Sequence, residues 1–321
     1  MAKDKFDIQD GVLKSYEGDA EDIVIPEDVT SIASYAIMTR GKTLNSITIP
    51  KTVTKIEGHP WRVEPDTIII ADDNPVFTFK DGVLYDEVEH KIVYVHSGLS
   101  RIPLREDLLE IESGAFYGFL GVKELSFPSG VKKIGSNAFD LSRSGEVVRV
   151  NLPKALEVLG TKAFYVGRYA TLEFSVDSLE HWNRLNIGEV GHSYRLLVNG
   201  EPVTEIIITK EEGMVSEGAY YNCTSIKSAI LEEGITEIGK MAFAQCENLE
   251  IISFPDSLES IGKRAFFGCK GLETIHLPKN LKRIEESAFN GCTKLPQSLF
   301  LWDLGFRTTS ARLKSKSLRK K

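Results

Sequence analysis

The chain has 321 residues, 42% of them hydrophobic and 26% charged, which excludes a disordered or fibrous protein and supplies enough apolar residues for one large core or two modest ones. No run of 18 apolar residues is present, so no apolar membrane-spanning helix is expected. Net charge is −7, but seven cations and no acid lie between Arg307 and Lys321, so residues 1–306 carry −14. Binding to nucleic acid requires clustered Lys and Arg against phosphate, and is not expected of so acidic a body.

The first residues, Met1 to Asp7, hold no apolar run of the secretory kind. As it begins, the chain reads as cytoplasmic, and as secreted or cell-surface if a leader precedes it. An apolar-Pro step then appears at Ile25-Pro26 and Ile49-Pro50, with an Ala36-Ile37 pair between them. From about 57 to 101 the pattern is interrupted. Residues 77–85 and 92–95 alternate like two short strands, and are expected to form a hairpin-like insertion. The pattern resumes with Ala115-Phe116, Phe127-Pro128, Ala138-Phe139, Leu152-Pro153 and Ala163-Phe164, and breaks again from about 165 to 204. There Leu179, Trp182 and Leu185 stand at helical spacing, and Asn199-Gly200 predicts a tight hairpin turn.

Beyond Glu205 the register is gap-free. Ile238-Gly-Lys-Met-Ala-Phe243, Ile261-Gly-Lys-Arg-Ala-Phe266 and Ile284-Glu-Glu-Ser-Ala-Phe289 follow one another at 23 residues, and all four cysteines, Cys223, Cys246, Cys269 and Cys292, fall on the same ruler. Each unit opens on an alternating strand (Leu272, Ile275 and Leu277 in the last) that is ended by Pro278, which has no N–H to donate to a ladder. A second apolar edge, Leu281 and Ile284, and a closing Ala288-Phe289 and Cys292 complete the turn. One such unit cannot bury its apolar face, whereas stacked units share a core.

The Ile-Pro step, Ile-Gly-x-x-Ala-Phe and Cys-x-x-Leu resemble the BspA-like, treponemal-type leucine-rich repeats of bacteria, over roughly residues 6–295. The resemblance implies a right-handed, curved, strand-led solenoid of the leucine-rich-repeat class, with short second-edge strands or helical turns, and a role in protein binding and adhesion. Both insertions are similar to those of BspA-like chains. The expected organisation is a single solenoid over 1–306, closed by an aromatic cap at about 295–306 and followed by a basic, mobile tail at 307–321.

Nothing in the sequence points to catalysis. The six histidines include no helical metal-ligand pair, no two cysteines sit at metal-ligand spacing, and no phosphate-binding loop or nucleophile elbow is present, so neither a cofactor nor a metal is expected. Ser317-Leu-Arg-Lys320 matches Ser-x-x-Lys without its companion motifs, and Asn222-Cys223-Thr224 matches a glycosylation sequon on the cysteine ruler. Neither is taken as functional. Adjacent turns, about 4.7–4.9 Å apart, bring equivalent cysteines within disulfide range, but parallel side chains do not meet, and four buried, reduced thiols are expected.

A partner is expected on the outward positions of the strand ladder: Ser46 and Thr48, Glu124 and Ser126, Arg149 and Asn151, Glu205 and Ile207, Ser228 and Ile230, Ile251 and Ser253, Thr274 and His276. Ile207, Ile230 and Ile251 break the polar character of this face. Three readings stay open: the upstream insertion, through Trp182 and Leu185, covers them; a protein partner or second copy docks on them; or they are exposed without use. A non-catalytic protein-interaction scaffold is the leading reading. The alternative is a carbohydrate or cell-envelope binding module using Tyr85, Tyr94 and Trp182.

Overall fold

The computed structural model describes residues 5–39, 43–97, 99, 104–116, 122–142, 147–166, 170–188 and 190–296. Of the expected cap only Leu295 and Pro296 fall among them; residues 297–306 and the basic tail lie outside the described residues. The chain forms a β-solenoid of parallel ladders with almost no helix, and its contacts cluster into two compact units. One comprises Met1–Gly145 with Pro153–Ala170, the other Glu146–Leu152 with Thr171–Lys321.

In the first unit, Asp22–Val24, Leu44–Ile49 and Pro65–Ile70 pair in parallel, so that Ser46 lies between Asp22 and Thr67. The ladder thus extends into the stretch read as the first insertion. Its second edge runs Val12–Gly18, Ser31–Ile32, Lys55–Ile56, and again Lys91–Val95, Glu110–Ile111, Lys133–Ile134, Val158–Leu159. The expected two-stranded hairpin is a three-stranded meander: Phe77–Lys80, Val83–Asp86 and Lys91–Val95, antiparallel in turn. Asp81 and Gly82, both at positive φ, make a tight turn where one alternating strand was expected. Asp10-Gly11 does the same between Lys5–Gln9 and Val12–Gly18. Val12–Gly18, the last strand of the second hairpin, and Lys91–Val95, the last strand of the meander, are each the first rung of a parallel ladder.

In the second unit, Val147–Asn151, Thr171–Val176 and Tyr194–Val198 are parallel and in register, and Glu201–Pro202 folds back across the Asn199-Gly200 turn. The stretch read as the second insertion therefore contributes two rungs. Between the two rungs stands the helix Leu179–Arg184, followed by the short strand Asn186–Ile187. Glu205–Ile208, Ser228–Leu231 and Ile251–Ser253 form the next ladder, and Met214–Val215, Glu237–Ile238, Ser260–Ile261 and Arg283–Ile284 its second edge.

The 23-residue unit closes because two positions per turn are left-handed. The residue before each Ala-aromatic pair, and before Ala36-Ile37, has positive φ: Tyr35, Asn137, Lys162, Met241, Arg264 and Ser287 at 49–59°, with Gly114 and Gly218 in the same place. The residue before each cysteine does likewise at Asn222, Gln245, Gly268 and Gly291. Each non-glycine residue held so costs about 1 kcal/mol or more, offset by the amide of that position bonding the next turn, as from Met241 to the Lys263 carbonyl at 3.0 Å.

Inside, like residues stack on like. Phe116, Phe139 and Phe164 line up in the first unit at 4.4 and 5.1 Å between ring centroids. Tyr220, Phe243, Phe266 and Phe289 do so in the second at 5.3, 5.3 and 5.1 Å, within 5° of parallel. All four cysteines are buried free thiols. They run parallel: Cys246, Cys269 and Cys292 each donate to a carbonyl of the previous turn, that of Tyr220, Phe243 and Phe266, at 3.0–3.1 Å.

Candidate partner-binding face

The outward positions are where the alternation put them. Glu124, Ser126, Arg149, Ile207, Ile230, Ile251, Ser253, Thr274 and His276 are exposed, and Ser46, Thr48 and Asn151 half-buried. In the second unit register fixes their layout. Glu205 lies beside Ser228, Ser228 beside Ile251 and Ile251 beside Thr274; in the neighbouring row Ile207 lies beside Ile230 and Ile230 beside Ser253. Ile207 and Ile230 are therefore direct neighbours and Ile251 is diagonal to Ile230, within reach of one docked side chain. They are 46%, 40% and 59% exposed. In the first unit the corresponding apolar residues, Val24 and Ile69, are separated by Thr48.

The insertion does not cover the isoleucines. Trp182, on the helix capped by Ser178, is 1% exposed: it packs on Phe174 and Tyr194 and donates from Nε1 to the Ala219 carbonyl at 3.1 Å. Leu185 is buried as well. Of the aromatics considered for carbohydrate, Tyr94 is 1% and Tyr85 7% exposed. Their rings and that of Trp182 fill the core, because apolar residues of the hairpin and helix are recruited to close the stack, and they offer no platform for a sugar.

Beside Ile207 the helix leaves a groove of about 690 Å3, floored by Leu179, Ile207, Met214, Val215 and Ala219 and edged by Glu180, Arg184, Glu211 and Glu212. Its polar side is fixed by a network. Glu212 accepts from Asn183 Nδ2 at 2.7 Å and from the Thr209 amide at 3.0 Å, and the Tyr220 hydroxyl donates to Asn183 Oδ1. Burial pushes the Glu212 carboxyl above its usual range, with Glu211 and Glu180 adding to the rise. The residues 209–212 read Thr-x-x-Glu, a capping signal legible in the sequence, but nothing in the sequence brings them to the helix.

A second feature of the face is Arg149. It stands in one row with Glu173 and Arg195, and the nearly buried Glu173 accepts from Arg149 at 3.0 and 3.2 Å on one oxygen and from Arg195 on the other. Among the described residues no group of His, Cys, Asp and Glu could hold a metal ion, and no helix is long and apolar enough to cross a membrane.

The sequence matches the BspA type leucine rich repeat region model in six copies, over residues 7–61, 87–182 and 200–303. No curated protein matches it. Among solved structures it is similar to a leucine-rich repeat protein from Eubacterium ventriosum, at 19% identity over 84% of this chain and 64% of that one, TM-score 0.45. It is also similar to a leucine rich cell surface protein from Faecalibacterium prausnitzii, at 14% identity over 92% of both chains, TM-score 0.39. The pneumococcal vaccine antigen PcpA shares 20% identity over 86% of this chain and 71% of its own, TM-score 0.38. The chain thus spans 64% of the length of the Eubacterium protein.

Proposed function

The chain belongs to the BspA-type leucine-rich-repeat family, and from that premise we propose that it is a non-catalytic module that binds a protein partner on the outward strand ladder of its second unit. The observation that carries this reading is the isoleucine patch. Three branched apolar side chains stand on adjacent rungs, 40–59% exposed, while Trp182 and Leu185, which could have covered them, are buried in the core. A contiguous apolar patch framed by Glu205, Ser228, Ser253 and Thr274 has the make-up of an interface centre with a polar rim.

The test is a capture experiment with the full chain as bait, paired with the double variant Ile207→Asp, Ile230→Asp. The two sites are partly exposed and face each other across adjacent strands, so the paired substitutions should cost about 1–2 kcal/mol and lower the melting temperature by a few degrees only. Proteins retained by the parent chain and identified by mass spectrometry should be lost from the variant. A variant that retains them all, or that melts many degrees lower, overturns the proposal.

A further inference from the structure

The groove beside Ile207 carries information about the partner's chemistry that the isoleucine patch does not. Its floor is apolar, and Ile207 and Met214, 46% and 41% exposed, stand on it. Its edge holds three carboxylates, Glu180, Glu211 and Glu212, against one cation, Arg184, which already lies 3.4 Å from Glu180; Lys210, outside the lining, partly offsets Glu211. Glu212 has no cation among its hydrogen-bond partners: its two oxygens are held by the neutral Asn183 amide and the Thr209 backbone N–H. A half-buried carboxylate so placed, with two further acids close by, sets up a negative potential at the mouth of an apolar pocket. A ligand side chain that fills the floor leaves these carboxylates short of solvent, and a cation brought in with it would compensate.

We infer that this groove receives an apolar side chain bracketed by Lys or Arg on an exposed segment of the protein partner. The inference rests on the protein-binding reading above and adds the partner's chemistry to it. Ile207 belongs to both the patch and the groove, so a segment seated in the groove continues onto the ladder towards Ile230. A second copy of the chain, or a segment lacking cations, is the competing occupant.

The experiment pans a phage-displayed library of random twelve-residue peptides on the full chain and measures the selected peptides by fluorescence polarisation. The expected sequences place Lys or Arg within two positions of Leu, Ile, Met or Phe. Their affinity should fall at least tenfold in Glu211→Lys and in Met214→Asp, and about threefold in Glu211→Gln, each variant being checked for an unchanged melting temperature. Ile230→Asp lies outside the groove and should weaken these short peptides by less than threefold. Acidic or uncharged consensus sequences, no enrichment at all, or undiminished binding to Glu211→Lys overturns the inference. If peptide binding is lost in Ile230→Asp but kept in Glu211→Lys and Met214→Asp, the groove fails and the patch stands. If the groove variants behave as expected while Ile230→Asp, Ile251→Asp, both outside the groove, keeps every captured protein, the patch fails instead. A concentration-dependent dimer abolished by Met214→Asp, seen by sedimentation, would put a second copy there and also overturn it.

Discussion

Replacing Phe266 by alanine tests whether the aromatic stack is what holds the second unit together. Phe266 is fully buried, stacks on Phe243 at 5.3 Å and on Phe289 at 5.1 Å, and meets Phe254 edge-on at 5.8 Å. Truncating a buried ring costs about 3–5 kcal/mol in lost transfer energy and cavity formation. Three aromatic pairs, worth about 0.5–1.5 kcal/mol each, place this site at the upper end, about 5 kcal/mol. Phe289, 6% exposed and stacked on Phe266, should cost about 3 kcal/mol by the same reasoning. A typical domain has only about 5–15 kcal/mol in hand, so the first variant should leave this unit open a measurable fraction of the time. Urea unfolding by circular dichroism gives the stabilities, and labelling of the four cysteines, all of which lie in this unit, reports where the opening occurs. The reasoning fails if Phe266→Ala costs less than about 1.5 kcal/mol, well below the usual cost of a buried ring. It also fails if Phe266→Ala costs no more than Phe289→Ala, or if Cys246 and Cys269 remain unlabelled in it.

Gly218 has positive φ and open space around its Cα, so Gly218→Ala should lower stability by about 1 kcal/mol through backbone strain alone, and Gly218→Asn by less; thermal melts would show it. Glu173→Gln should cost about 2 kcal/mol by removing the charge that Arg149 and Arg195 share, read by urea denaturation. For Glu64, burial alone would raise the carboxyl's pKa, yet hydrogen bonds from Ser97 and Tyr94 hold it below its usual value of 4.5. Its contribution is therefore fully present above pH 4.5 and is lost as pH falls through the lower folded value. Acid titration of Glu64→Gln beside the parent chain should show less loss of stability in that window. Burial pushes the thiols of Cys223 and Cys246 up, so a thiol reagent at pH 8 should reach these two only after denaturant is added. Rapid native reaction would contradict their burial.

The repeat was legible because its two rows of like residues, Phe on Phe and Cys on Cys, leave a fixed period in the chain. Outward exposure of Glu124, Arg149, Ile230 and His276 followed from alternation alone. What the period concealed were the rungs on either side of the helix. Thr171–Val176 pairs with Val147–Asn151, and Tyr194–Val198 with Thr171–Val176, in register, but the helix between the last two erases the Ala-Phe signal, so nothing in the period sets Glu173 and Arg195 beside Arg149. The Asp81-Gly82 turn signal is present in the sequence, but the apolar alternation that runs across it imitates one continuous strand. The groove could not be found in this way, since Leu179 and Met214 are 35 residues apart and are joined only by packing.

The two Asp-Gly hairpins have a kinetic consequence. A parallel strand has to find a partner some 23 residues away, and closing such a loop costs entropy before any contact rewards it. A two-residue turn pays almost none of that, and hairpins form in about 1–10 μs. Because Val12–Gly18 ends its Asp-Gly hairpin, Lys91–Val95 folds back on the last strand of the other, and each is the first rung of a parallel ladder, each presents a finished edge before any distant turn has arrived. The first unit thus carries two built-in starting points, from which later turns can be laid down one at a time. The second unit's own tight hairpin, at Asn199-Gly200, joins Tyr194–Val198 to the short Glu201–Pro202 strand. Order should spread through the first unit from residues near 11 and 82 towards higher numbers.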